Sequence, residues 1–441
     1  MDAHARPVKL MSSVAVAIGA LALGGGGCDR SNPSGVKTAE ASTPEQIALR
    51  TGLDQSVVRR AIRASPVPPP PPDPTNRVAD DADAADFGRS LFFDTGLSGQ
   101  GEVSCATCHQ PDLHFTDGLP LSKGVATAGR HAPTLVDAAH QRWFNWDGRS
   151  DSMWAHAIRP IEHPDEMGGD RTALVRHLLE DQERRSAYEE IFGDEWPSLD
   201  SLPERARPGG TDDERAAWAS LPQETRFQVD RVAANVGKAL AAYQRSLQGG
   251  QSPFDRWVSE VQAGGDGSEA ISASQRRGLE LFFGRAECWE CHAGPLFSDG
   301  EFHNIGTPVP DGLPRDPGRY DGAALVVEDR FNAAGLHSDD REGSRAVVSR
   351  GVKRDPSQWG AFRTPSLRHV GRTPPYMHDG SMSDLETVVR FYSTLEGAIQ
   401  LDHHRESVLA PLDLTEQEID DLVAFLRSLD GDVDFGTEAE G

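Results

Sequence analysis

Two copies of Cys-x-x-Cys-His, Cys105-Ala-Thr-Cys108-His109 and Cys288-Trp-Glu-Cys291-His292, take up four of the five cysteines in the chain. This pentapeptide is the attachment signature of c-type haem. Two thiols one helical turn apart add across the two vinyl groups of one porphyrin. The histidine that follows lies under the ring, where its imidazole ligates iron. A single copy also suits a zinc half-site or a redox dithiol. Two copies with no other cysteine nearby point to two covalent haems, because zinc wants four ligands at one centre and a dithiol motif seldom carries the trailing histidine twice. Such a chain has to wrap itself around two large flat groups.

Length and charge narrow the rest. At 441 residues the chain has room for two or three domains. It carries 69 Asp plus Glu against 44 Lys plus Arg, a formal net charge of −25. That surface repels a phosphate backbone, which argues against nucleic-acid binding. A small basic redox protein is a natural electrostatic partner.

The N-terminus reads as an export signal, residues 1–28. Arg6 and Lys9 precede an apolar stretch from Leu10 to Leu23, too short to span a bilayer comfortably. It runs through four glycines into Cys28, which resembles a bacterial lipoprotein cleavage site with Cys28 as the lipidated residue. Gly25 departs from that pattern, since leucine is usual three positions before the cysteine. The expectation is an exported, periplasmic chain that meets the membrane only through a lipid anchor. Residues 29–80 read as a tether. Thr43 to Ser65 suits one helix, and the prolines at 66, 68–72 and 74 make a polyproline II spacer.

The folded part contains an internal repeat. Gly88-Arg89-Ser90-Leu91-Phe92-Phe93 precedes the first motif and Phe115-Thr116-Asp117-Gly118 follows it. Gly278-Leu279-Glu280-Leu281-Phe282-Phe283 and Phe297-Ser298-Asp299-Gly300 flank the second in the same order. Helical apolar spacing recurs over Arg171 to Phe192, Glu224 to Leu247, Asp384 to Leu395 and Thr415 to Leu429. Thr415 with Glu418 makes a capping box. No alternating strand pattern stands out. The expectation is a mainly α fold of two cytochrome c-like haem domains, 81–250 and 251–410, packed around an inter-haem interface with long loops. A C-terminal helix and acidic tail, 411–441, complete it.

Further landmarks are Trp146-Asp147-Gly148-Arg149, His163-Pro164-Asp165-Glu166-Met167-Gly168, Phe362-Arg363-Thr364-Pro365-Ser366-Leu367-Arg368 and Thr373-Pro374-Pro375-Tyr376-Met377-His378-Asp379-Gly380. With two haem motifs in this order, the chain from about 84 to 430 resembles the bacterial di-haem cytochrome c peroxidases, and more closely their MauG-type branch.

The resemblance assigns roles. Splitting the O–O bond of peroxide needs a group that moves a proton from the inner to the outer oxygen, and the family's glutamate for this matches Glu166. Pro160 matches a proline lining the same pocket, and His156 stands where many relatives have a glutamine. Trp146 matches the tryptophan that relays electrons between the haems. Ordinary peroxidases block the first iron with a histidine on the loop after the first motif. Here Leu121 to Arg130 holds none, so the first haem is expected to be open and high-spin. Counting seventeen residues from Pro375 reaches Tyr392, where the peroxidases place a methionine ligand and MauG-type proteins a tyrosine. A phenolate is a hard anionic donor that lowers the haem potential. Met377 and Met382 compete for that position. The family's inter-haem calcium maps to the carbonyls of Thr373 and Pro375, with His131 replacing an asparagine.

The expected function is reduction of hydrogen peroxide at the first haem, held by His109. Electrons would come from a small cytochrome c or copper protein through the second haem, held by His292 and Tyr392. One alternative is MauG-like oxidation of a partner protein's residues through a high-valent di-haem state. The non-enzymatic alternative is a di-haem electron carrier or redox sensor.

Overall fold

The computed structural model describes residues 41–399 and 409–432, so the export signal, Cys28 and the acidic tail lie outside the described residues. From residue 41 on, the segment expected as a tether is packed into the fold. Two helices form where one was expected, α1 (Pro44–Thr51) and α2 (Gln55–Arg63). Thr43 and Gln46 make a capping box at the start of α1, Gly52 ends it in the left-handed region, and Asp54 caps α2. Ile47, Leu53, Val57, Val58 and Ala61 are buried against Phe254, Trp257, Phe283 and Phe425. Each such side chain contributes about 1.5–3 kcal/mol. The proline run is held too: Arg245 donates to the Pro71 carbonyl, and the Trp154 indole to the Thr75 hydroxyl.

The first module follows. Helix α3 (Ala82–Phe93) leads to α4 (Cys105–Cys108), which is the first haem motif. Then come α5 (Met153–Glu162), α6 (Arg171–Glu180), α7 (Gln182–Phe192), α8 (Asp212–Ser220) and the long α9 (Gln223–Ser246). The stretch from Arg171 to Phe192 is two helices because the Asp181 carboxylate caps a new start at Arg184. Helix α9 has no internal proline or helix-capping break and is buried almost throughout from Val229 to Arg245.

The second module contains α10 (Pro253–Gln262), α11 (Ala273–Phe283) and the second motif as a short 3-10 turn, Cys288–Glu290. Beyond it lie α12 (Arg319–Glu328), α13 (Ser344–Gly351), α14 (Leu385–Thr394) and α15 (Glu416–Arg427). The capping box of Thr415 and Glu418 opens α15 as expected. Among the described residues the only sheet pairs β1 (Phe302–His303) with β2 (Phe362–Arg363), antiparallel.

The repeat explains how each module closes. Gly88 on α3 lies against the Ala239 carbonyl of α9, and Gly278 on α11 against the Asp421 carbonyl of α15. A methyl group at either position would overlap that oxygen. The same glycine thus lets the leading helix of each copy cross a distant helix at backbone contact. This makes α15, the expected C-terminal helix, the structural partner of α11. Two large cores result, one drawn from Phe87 to Leu247, the other from Ile47 to Ala64 together with Phe254 to Leu429.

Candidate active site

The two motifs are built alike. His109 ends α4, and its Nδ1 donates to the Phe115 carbonyl at 2.9 Å; His292 does the same to Phe297 at 2.8 Å. Both phenylalanines sit at positive φ, 56° and 51°, with their rings buried. That left-handed turn aims the carbonyl back at the imidazole. Because Nδ1 carries the proton, Nε2 of each ring is left with a lone pair, the atom through which a neutral imidazole can hold a metal. Burial lowers the pKa of both histidines and so keeps them neutral. Burial also pushes the thiols of Cys105, Cys108 and Cys288 up to about 12.

At the second motif, a cavity of about 690 Å³ is lined by Cys288, Cys291 and His292, and across α14 by Tyr392. That volume lies within the range of cofactor pockets. Burial and the nearby sulfurs of Cys288 and Cys291 push the Tyr392 phenol well above the usual tyrosine range. It would ionise only opposite a strong cation. Met377 shares the cavity wall, whereas Met382 is buried elsewhere. Thr373, Pro375 and His131 line the same space. The His131 Nδ1 is committed to the Leu119 carbonyl at 2.8 Å. Two carbonyls and one imidazole nitrogen make a poor set for calcium, which takes six to eight oxygens.

At the first motif the facing groups differ. Glu166 is half-buried, with Oε1 3.6 Å from His163 Nδ1. Its charge acts on both Cys105 and Cys108, which places the carboxylate beside the motif. The turn that carries it is folded back on α5, where the Met167 amide donates to the Pro160 carbonyl. The 121–130 loop packs on this turn through Val125, whose amide donates to Glu166 O at 2.8 Å. Gly124 lies so close to the Glu166 carbonyl that no side chain fits there. His156 on α5 is held neutral, at about 3, by burial and by the positive charge that would share its space from His109, Arg159 and Arg149. The Asn145 amide nitrogen lies 3.3 Å from its Nδ1. An amide nitrogen only donates, so Nδ1 accepts and Nε2 carries the hydrogen.

Trp146 joins the two sites. Its ring lines the second cavity, its Nε1 donates to the His131 carbonyl at 2.9 Å, and its own carbonyl accepts from the Arg363 amide on β2. Residues 131 to 134 form the wall between, since the Pro133 carbonyl acts on His109 while Pro133 also lines the second cavity. The neighbouring Asp147 is clamped by Arg130 and Arg149. Burial pushes its carboxyl up, and the two guanidinium groups more than reverse this, holding it at about 2. Arg319, sandwiched between Trp143 and Phe302 at 4.3 and 4.2 Å, donates to the Gly148 carbonyl.

Of the residues expected from the sequence, Trp146, His131, Cys288, Cys291, His292, Thr373, Pro375 and Tyr392 line the one cavity, whereas Glu166 and His156 lie near the first motif. Sequence reasoning gave no role to Gly124, Asn145, Arg319 or Arg363. Gly124 and Asn145 carry no motif signal, but Arg363 stands inside one of the quoted landmarks.

Comparison with known proteins agrees. A family model described as di-haem cytochrome c peroxidase matches residues 82–263. The chain is 33% identical over 371 residues to the cytochrome-c peroxidase IdrP1 of Denitromonas iodatirespirans, covering 82% of this chain and 84% of that one. It is 33% identical over 358 residues to the methylamine utilization protein MauG of Methylophilus methylotrophus, covering 79% and 82%. A solved MauG-like protein associated with microbial copper homeostasis superposes with a TM-score of 0.58 at 26% identity, over 83% of this chain and 93% of that one. With two histidine sites built on one repeated plan and relatives matched over most of its length, this chain belongs to the di-haem cytochrome c peroxidase and MauG family of oxidoreductases.

Proposed function

We propose that this chain is an exported di-haem c-type peroxidase that reduces hydrogen peroxide to water at its first site and draws electrons through its second. The observation that carries this reading is the inequality of the two sites. Glu166 and neutral His156 stand beside the first motif, next to a loop without histidine, whereas Tyr392 shares the second cavity with His292.

Cys105 with Cys108, and Cys288 with Cys291, would hold the two haems as thioethers, and His109 and His292 would offer Nε2 to their irons. When bound, the two haems would supply one-electron redox centres, the first reacting with peroxide. His156 offers its Nε2–H to hold the substrate. Glu166 takes the proton from the inner peroxide oxygen and returns it to the outer one, so that water leaves. Two electrons and two protons per peroxide complete two waters. Tyr392 would offer its phenol oxygen to a haem held in the second cavity, and Trp146 would provide an oxidisable ring between the sites. No step is assigned to calcium at Thr373 and Pro375, given the donor set with His131.

The acidic chain suits a small basic electron donor, a cytochrome c or copper protein. The N-terminal apolar run and Cys28 support export with a lipid anchor. Among the described residues no helix is long and apolar enough to cross a membrane.

The test is Glu166→Gln, which leaves both haems attached and slows the reaction with peroxide at least about tenfold, within the usual weight of a general acid–base group. An unchanged rate in stopped flow removes Glu166 from this role. Tyr392, at the position where ordinary peroxidases have methionine, favours a second reading, MauG-like oxidation of a partner protein's residues. Rapid turnover of a reduced cytochrome c supports the peroxidase. An oxidised state that outlasts excess cytochrome c supports the second reading.

A further inference from the structure

Among the described residues, the buried arginines and the half-buried Arg130 have their charge compensated, with one exception. Arg171 is paired with Glu162 and Asp230, Arg368 with Asp255, Arg130 with Asp147 and Asp316, Arg207 with Glu214, and Arg245 with Asp80. Arg319 has no carboxylate in contact but lies between two aromatic rings. Arg363 has neither. It is only 4% exposed, and its guanidinium contacts two backbone carbonyls at long range, Asn145 at 3.3 Å and Thr364 at 3.2 Å. Among the described residues no carboxylate is close enough to offset its burial, which alone pulls its pKa down to about 10. A buried, uncompensated charge is among the costliest features a fold can keep.

The place where Arg363 is buried supplies the reason. It lines the cavity that holds Cys288, Cys291, His292 and Tyr392. The other arginine on that wall, Arg285, is already paired with Glu418. The missing anion therefore has to arrive with the occupant of the cavity. A haem carries two propionate carboxylates, and a guanidinium is shaped to take a carboxylate through two parallel N–H groups.

We propose that Arg363 is the counter-charge for a propionate of the second haem and thereby the residue that sets how readily that haem accepts an electron. The proposal rests on the reading that a haem attached to Cys288 and Cys291 fills this cavity. It also ties Arg363 to the residues between the two sites. The Arg363 amide donates to the Trp146 carbonyl, its Nε donates to the Asn145 carbonyl, and the Asn145 side chain reaches His156 at the first site. Loss of the cationic head removes a positive charge beside the second haem and favours its ferric form. Arg363 acts here as a positioning and tuning residue, without contact to peroxide.

The experiment uses the full, haem-loaded chain. Haem content is counted first, then each haem is titrated potentiometrically in wild type, Arg363→Gln and Arg363→Lys. Arg363→Gln is expected to shift the reduction equilibrium of the second haem about tenfold toward ferric, or about 59 mV for one electron. Arg363→Lys, which keeps the charge, is expected to shift it far less. A crystal structure of the loaded wild type is expected to show the guanidinium hydrogen-bonded to a propionate oxygen. It decides the question on its own if Arg363→Gln fails to mature. Two attached haems with an unmoved potential, or a guanidinium paired with a protein carboxylate or a free anion, overturn the proposal and leave the peroxidase reading standing. A cavity without a second haem overturns that reading instead.

Discussion

At the scale of single residues, the two sites are separated by what faces each histidine. Tyr392 lies in an apolar wall that holds its phenol protonated until a cation stands opposite. Under the proposed function ferric iron is such a cation, and an anionic phenolate opposite it would favour the oxidised state. Tyr392→Phe is therefore expected to abolish the low-spin ferric spectrum of the second haem while leaving both haems attached. An unchanged absorption spectrum would hand the sixth position to another group, with Met377 on the same wall as the first suspect. Much of this was readable from residue order alone. The motifs located both histidines, and the register from Pro375 reached Tyr392, which lines the same cavity as His292. What the sequence could not carry was the state of a side chain. The neutrality of His156, the tautomer set by Asn145 and the unpaired charge of Arg363 depend on burial by segments far away in the chain.

At the scale of elements, the 121–130 loop and the short helices at the N-terminus carry the main consequences. The loop holds no histidine, and it supports the turn of Glu166 at backbone contact through Gly124 and Val125. Gly124→Ala forces the two backbones apart, so peroxide reactivity is expected to fall with haem content intact. A normal rate would show that the loop does not position the glutamate. Helices α1 and α2 misled sequence reasoning for a physical reason. Their apolar residues are few, scattered among charges and followed by a proline run, the pattern of a solvated spacer. Their burial arises because Phe254, Trp257 and Phe425, more than 190 residues on, leave a face for them to cover. Ile47→Ala is expected to cost about 2–5 kcal/mol of stability, read from chemical denaturation. A loss near zero would return this segment to the role of a tether.

At the scale of the whole molecule, a repeated unit has been used twice with different outcomes. In each copy a glycine lets the leading helix cross a distant one, and a left-handed phenylalanine orients the histidine. Those shared features were visible as a repeat, although the partner helices α9 and α15 were not, because nothing in a local pattern names a crossing partner. The copies diverge in the groups set against the iron and in the wall between them, where Trp146, His131 and Arg363 meet. The central claim is that this divergence makes one haem open to peroxide and the other a closed electron store. Electron paramagnetic resonance of the oxidised, haem-loaded chain tests it most directly. The account predicts one high-spin and one low-spin ferric signal in equal amounts, and two low-spin signals would contradict it.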